Sequence, residues 1–117
     1  MEPAAADSAG LSDLLARLDA ATGPDPVLDR DIAQALGGGI TAGEEPAYTA
    51  SIDRCFDLLH RVAPGWHWHV GFGVTGLLPY ATLALGPRRF EASAATVPLA
   101  LLSVVVRAAC ARAGLDI

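Results

Sequence analysis

The stretch WHWHVGFGVTG, Trp66 to Gly76, holds two spacings that could do chemistry. His67 and His69 lie two residues apart. On a β-strand that spacing projects both imidazoles from one face, where they could place two nitrogens on a zinc ion. A metal-dependent enzyme built on them needs a third protein ligand. His60, Glu91, Cys55 and Cys110 are available, but no Cys-x-x-Cys or His-Glu-x-x-His pattern fixes one of them. The plainer reading is a half-exposed strand with aromatics on one face and two histidines in water.

Gly71, Gly73 and Gly76 spell G-x-G-x-x-G. A dinucleotide loop of that spacing works because a helix starts at the glycines and holds the pyrophosphate at its N-terminus. Here the following LLPYATLAL contains Pro79 and alternates like a strand, so the glycines read as a hairpin turn. Arg88 and Arg89 in GPRR could grip a carboxylate or phosphate bidentately, or simply solubilise a turn. Glu44 and Glu45 sit in a Gly- and Pro-rich loop and read as solvated, and no nucleophile elbow occurs. The expectation is therefore a protein without catalytic, cofactor-binding or metal-binding residues.

The elements that carry these residues follow from periodicity. Residues 1–10 are small and polar and read as a flexible segment ahead of a single domain over 11–117. Leu11, Leu14, Leu15 and Leu18 form one helical stripe that stops near Gly23. Asp25 can cap a second helix with Pro26 at its first position, and Leu28, Ile32, Ala35 and Leu36 mark its buried face. Gly37–Gly39 ends it. A third helix, capped by Thr49 or Ser51, places Ile52, Cys55, Phe56 and Leu59 at i, i+3, i+4, i+7 and stops at Ala63–Gly65.

The period then drops to two. Trp66, Trp68, Val70 and Phe72 share a strand face turned to the helices, and His67, His69 and Gly71 share the other. Leu77–Leu85 and Phe90–Ser93 read as two further strands. Thr96 can cap a last helix, with Pro98 in its first turn and Gly114 at its end. That helix is apolar nearly all round from Val97 to Val106, so it is buried on more than one side. It lies either under the other elements or against a second copy. The fold class is α+β: a three-stranded antiparallel sheet layered with four helices in the order α-α-α-β-β-β-α.

Composition bounds the function. The 117 residues are 52% hydrophobic, which makes disorder of the whole chain untenable and self-association worth expecting. Net charge is −5, which argues against direct nucleic-acid binding. The charge is uneven: residues 1–57 hold eleven acids against Arg17, Arg30 and Arg54, and residues 58–117 hold two acids against five arginines. Such asymmetry suits partner steering. The ten-residue run VPLALLSVVV is too short to span a membrane, and the acidic start MEPAAADSAG does not read as a secretory signal, so a cytoplasmic location in a bacterial host cell is expected. Cys55 and Cys110 each fall in an apolar helical pattern and read as buried thiols.

The segments DLLARLDAATGPDPVLDRDIAQALG, PAYTASIDRCFDLL, PGWHWHV and ATVPLALLSVVVRAA resemble, in order, the small phage and prophage proteins described as the phage ABA sandwich domain. The resemblance covers about residues 11–113. It implies an α/β/α layered sandwich and a phage or prophage origin, which agrees with the absence of Lys and Asn expected of a GC-rich gene. It implies no activity. The expected function is a non-enzymatic interaction domain that binds a host or phage protein, for example as an inhibitor of a bacterial defence system such as CRISPR. A virion structural or morphogenetic accessory is the alternative. The residues expected to meet a partner are His67, His69, Tyr80, Arg88 and Arg89. A homodimer built from the last helix or a sheet edge is also expected.

Overall fold

The computed structural model describes residues 3–36, 46–73 and 78–112, with side chains from Gly10 onward. Four helices and three strands follow one another as α1 (Pro3–Ala20), α2 (Pro26–Ala35), α3 (Ile52–Val62), β1 (His67–Phe72), β2 (Pro79–Leu85), β3 (Arg88–Ser93) and α4 (Val97–Arg112). The α+β class and the element order are those the periodicity predicts. The stops assigned to Gly37–Gly39 and Gly114, the pair Glu44–Glu45 and the glycine turn at 74–76 lie outside the described residues.

Local chemistry explains the helix starts. Asp25 is the N-cap of α2: its carboxylate accepts the amides of Val27 and Leu28, both at 3.1 Å, and Pro26 follows where no amide is needed. Ser51, rather than Thr49, caps α3 by accepting from the Arg54 amide at 3.3 Å. Thr96 caps α4 through the Leu99 amide at 3.2 Å. α1 begins at Pro3, earlier than the leucine stripe suggested. The added turns are rich in alanine, the strongest helix former, and need no apolar stripe to be helical.

The layers are stacked differently from the α/β/α order that the resemblance implied. α4 is the middle layer. It packs on α1 and α3 on one side and on the sheet on the other, and among the described helices it makes the main contact with the strands. Leu99, Ala100, Leu101, Leu102, Val104, Val105, Val106 and Cys110 are fully buried within one chain. A helix apolar on every side is thus satisfied inside the monomer, which removes α4 as a dimer interface. Leu11, Leu14, Leu15 and Leu18 cover it from α1, and Cys55, Leu58, Leu59 and Val62 cover it from α3. Arg107 of α4 lies 3.8 Å from Asp19 of α1, and Arg112 donates to the Val62 carbonyl.

The sheet has the order β1-β2-β3, antiparallel throughout, with no bulge in either register. Only two residues, Gly86 and Pro87, join β2 to β3. Gly86 has φ +58, the left-handed conformation that the first central residue of such a tight hairpin requires. In β2, Ala81 and Leu83 are fully buried against α4. Their cross-strand partners, Val70 and Trp68 on β1 and Ala92 and Phe90 on β3, share that face.

The expected faces of β1 are therefore observed, but not the expected burial. Trp68 remains 45% exposed and Phe72 62% exposed. β1 is an edge strand, so its side chains overhang the end of the helical layer. Trp68 leans on Phe56 of α3, with ring centroids 4.6 Å apart, and Trp66 stacks on Phe90 at 5.9 Å.

A second seam joins α2 to the turn before α3. The buried Asp29 carboxylate accepts the Thr49 amide at 2.7 Å, and Thr49 Oγ1 accepts the Asp25 amide at 2.7 Å. Ala47 enters this turn at φ +47, a conformation costly for a residue with a Cβ. The turn drives Tyr48 into the core, where its carbonyl accepts from the Cys55 thiol at 3.0 Å.

Candidate functional site

The register places three rows of side chains on the sheet face turned away from α4. His67, Ala84 and Arg89 form one row. His69, Thr82 and Glu91 form the next, and Gly71, Tyr80 and Ser93 the third. Alternation along each strand puts all nine on one side. No described helix covers this face. His67, His69, Arg89, Glu91 and Ser93 are exposed, and Tyr80, Thr82 and Ala84 are half-buried by one another.

Four of the five residues expected to meet a partner, His67, His69, Tyr80 and Arg89, thus share one open surface. Arg88 does not. The turn is two residues long, so Arg88 and Arg89 both lie in β3 and point to opposite faces. Arg88 sits on the helix-side face near Phe90, 6.0 Å from its ring centroid. The two arginines cannot close on one anion as a pair.

Gly71 shapes the centre of the surface. A Cβ at this position would lie 3.5 Å from Tyr80 Oη and 3.6 Å from His69 Nε2. These are ordinary contact distances, and over the strand the phenol and the imidazole lie with ring centroids 5.6 Å apart. Beside them, Phe72, Gly73, Tyr80, Arg89, Glu91 and Ser93 line an open cleft of about 360 Å³. Arg89 Nη2 and Glu91 Oε1 are 3.1 Å apart on its wall. Both are exposed, so the pair contributes at most about 1 kcal/mol and is free to exchange for a partner's charges.

The geometry offers hydrogen-bond donors and acceptors, the rings of His67, His69 and Tyr80 and one exposed ion pair on an open sheet face. Among the described residues, no three His, Cys, Asp or Glu side chains converge as metal ligands. Of the third ligands considered, Cys55 and Cys110 are buried on the helical side of the sheet, His60 is exposed on α3, and Glu91 shares the histidines' face but is held by Arg89 at 3.1 Å. Burial pushes the Cys55 thiol up to about 12, with Asp29 adding to the effect, and it raises the Cys110 thiol too. Neither thiol is a ready nucleophile.

The glycine motif is likewise spent on the hairpin. β1 returns directly as β2, and the Gly73 amide donates to the Leu78 carbonyl at 3.1 Å. Gly76 lies outside the described residues. A second open cleft, about 330 Å³ between α1 and α2, is lined by Asp13, Arg17 and Asp31. Arg17 already binds Asp31 at 2.7 Å and lies 3.6 Å from Asp13, so these groups serve the helix–helix contact.

Thr82, Glu91, Ser93 and Gly71 complete the outer face and were not among the expected partner residues. The signal that finds them is strand parity carried across two hairpins, which requires the register and not the motif. No protein-family model, no curated protein and no solved structure matches the chain. Among the described residues, no helix is long and apolar enough to cross a membrane.

Proposed function

We propose that this protein is a non-enzymatic interaction domain of phage or prophage origin that uses the outer face of its sheet to bind a host or phage protein. Inhibition of a bacterial defence system is the role we favour. The observation that carries the reading is the uncovered platform itself. Four of the residues that meet the partner, His67, His69, Tyr80 and Arg89, converge on a sheet face that no described element covers. A sheet face with mixed polar and aromatic side chains on rigid strands suits recognition, because little order is lost when it binds. The origin rests on the resemblance in the four helical and strand segments. In this reading the protein acts as two copies in the cytoplasm of the host, and no cofactor takes part.

The partner is identified by capture from a lysate of the bacterium that carries the gene. The wild-type protein recovers one stoichiometric protein, and a His69→Ala, Tyr80→Ala, Arg89→Ala variant with an unchanged circular dichroism spectrum recovers at least tenfold less. Equal recovery by both places the partner elsewhere. Turnover of a small molecule by the pure protein overturns the non-enzymatic reading.

A further inference from the structure

Among the described residues, the backbone of β1 is paired on one side only. Antiparallel ladders alternate between residues whose N–H and C=O face the neighbour and residues whose groups face away. Gly73 donates to Leu78, so the bonded set on β1 is Gly73, Gly71, His69 and His67. The amides and carbonyls of Trp68, Val70 and Phe72 therefore point out of the sheet edge. Natural edges are guarded by charge, proline or a bulge. β3 carries Arg88, Arg89 and Glu91, but β1 carries no Asp, Glu, Lys, Arg or Pro and pairs without a bulge.

From this edge we infer that β1 pairs antiparallel with β1 of a second copy about a two-fold axis at Val70, joining two sheets into one of six strands. The inference rests on the two-copy assembly in the reading above and names its interface. One register uses every outward group. With Val70 opposite Val70, Trp68 of one copy lies opposite Phe72 of the other, and the three pairs exchange up to six backbone hydrogen bonds. That register also sets the exposed Trp68 and Phe72 rings side by side, twice, on the helical face of the sheet. On the outer face it sets His69 opposite Gly71, which has no side chain to obstruct it.

Charge favours this occupant over any other edge pairing. Two β1 strands meet without bringing any Asp, Glu, Lys or Arg together. α3, the helix behind Trp68, is balanced, with Asp53 and Asp57 against Arg54 and Arg61. α1 and α2, with Asp13, Asp19, Asp29 and Asp31, lie on the far side of α4 from the sheet. A β1-to-β3 contact would leave one β1 and one β3 edge free to repeat the same contact and propagate, whereas the two-fold uses both β1 edges and closes after two copies. The outer faces of the two sheets become one continuous platform carrying two sets of His67, His69, Tyr80 and Arg89.

Light scattering gives the mass, and cysteine cross-linking gives the register. The wild type is expected at twice the 12.0 kDa of one chain at tens of micromolar. A directly bonded antiparallel pair has its Cα atoms about 5.5 Å apart, within disulfide reach. Val70→Cys therefore forms a covalent dimer on mild oxidation, and Trp68→Cys, whose two copies lie roughly 14 Å apart at about 3.4 Å per residue, does not. Phe72→Arg, at a position already exposed, gives folded monomer. A wild-type mass of 12.0 kDa at every concentration overturns the inference and the two-copy reading together. A dimer that survives Phe72→Arg and cross-links no better through Val70→Cys than through Trp68→Cys overturns the β1 interface alone.

Discussion

The carboxylate of Asp29 and the amide of Thr49 meet at 2.7 Å inside the seam between α2 and the turn that precedes α3. Among the described residues, this charge-assisted bond is the one place where a buried acid ties two distant segments together. Asp29→Ala leaves the Thr49 amide unpaired in a dry site, which costs about 2–3 kcal/mol. Asp29→Asn retains an acceptor and costs about half as much. Urea unfolding of the two variants measures the difference, and equal losses would show that the hydrogen bond is not the cause.

Tyr48 is 1% exposed, and its hydroxyl has no hydrogen-bond partner among the described residues. Removing an unpaired buried hydroxyl removes its desolvation cost, so Tyr48→Phe is expected to stabilise the protein by about 1 kcal/mol. A loss of more than about 0.5 kcal/mol on urea unfolding would contradict the packing described for this turn.

The two faces of the sheet predict a second contrast. Leu83 is fully buried beneath α4, and Leu83→Ala is expected to cost about 3–4 kcal/mol. Trp68 is the larger side chain but overhangs the edge, and Trp68→Ala costs about 1–2 kcal/mol of the single chain's stability. His67→Ala costs less than about 0.5 kcal/mol. These values apply in the Phe72→Arg background, where pairing of copies does not contribute. A Trp68 loss equal to that of Leu83 would place the ring in the core.

Alkaline pH tests the buried thiol. Burial, with Asp29 as the lesser cause, lifts Cys55 from an ordinary value of 9.0 to about 12 in the folded chain. Between these two values the unfolded state has released its proton and the folded state has not, so the unfolded state gains free energy as pH rises. Stability is unaffected by this group below about pH 9 and falls progressively from there toward pH 12, at up to about 1.4 kcal/mol per pH unit. Burial raises the Tyr48 phenol and the Cys110 thiol as well, which act in the same direction. Cys55→Ala should lessen the slope between pH 9 and 10.5; an identical slope in the variant would assign it elsewhere.

What was legible in the sequence was local. Asp25, Ser51 and Thr96 cap their helices because a cap depends only on the residues that follow it. The Cys55, Phe56 and Leu59 stripe of α3 and the alternation from Trp66 to Phe72 encode which side faces inward. Layer order was not legible: α4 is apolar all round, so its sequence does not say which neighbour covers which side. Alternation likewise assigns Trp68 a face but not a place in the sheet, and only the strand order makes β1 an edge. Asp29 reads as an acid near a helix N-terminus, and its partner Thr49 lies twenty residues away. Arg88 and Arg89 read as a pair when GPRR is a turn, but the turn is only Gly86 and Pro87, and strand parity separates the two arginines.

A partner seated on the outer face of the sheet must lie within reach of Tyr80 and not of α2. The most direct measurement places a photo-reactive amino acid at Tyr80 and, separately, at Val27. Val27 is a 54% exposed residue on α2, which lies on the far side of α4 from the sheet. Irradiation in cells of the proposed bacterial host is followed by denaturing electrophoresis and mass spectrometry. The account predicts one discrete cross-linked protein, other than the chain itself, from Tyr80 and none from Val27. A discrete product from Val27 with none from Tyr80 would contradict it.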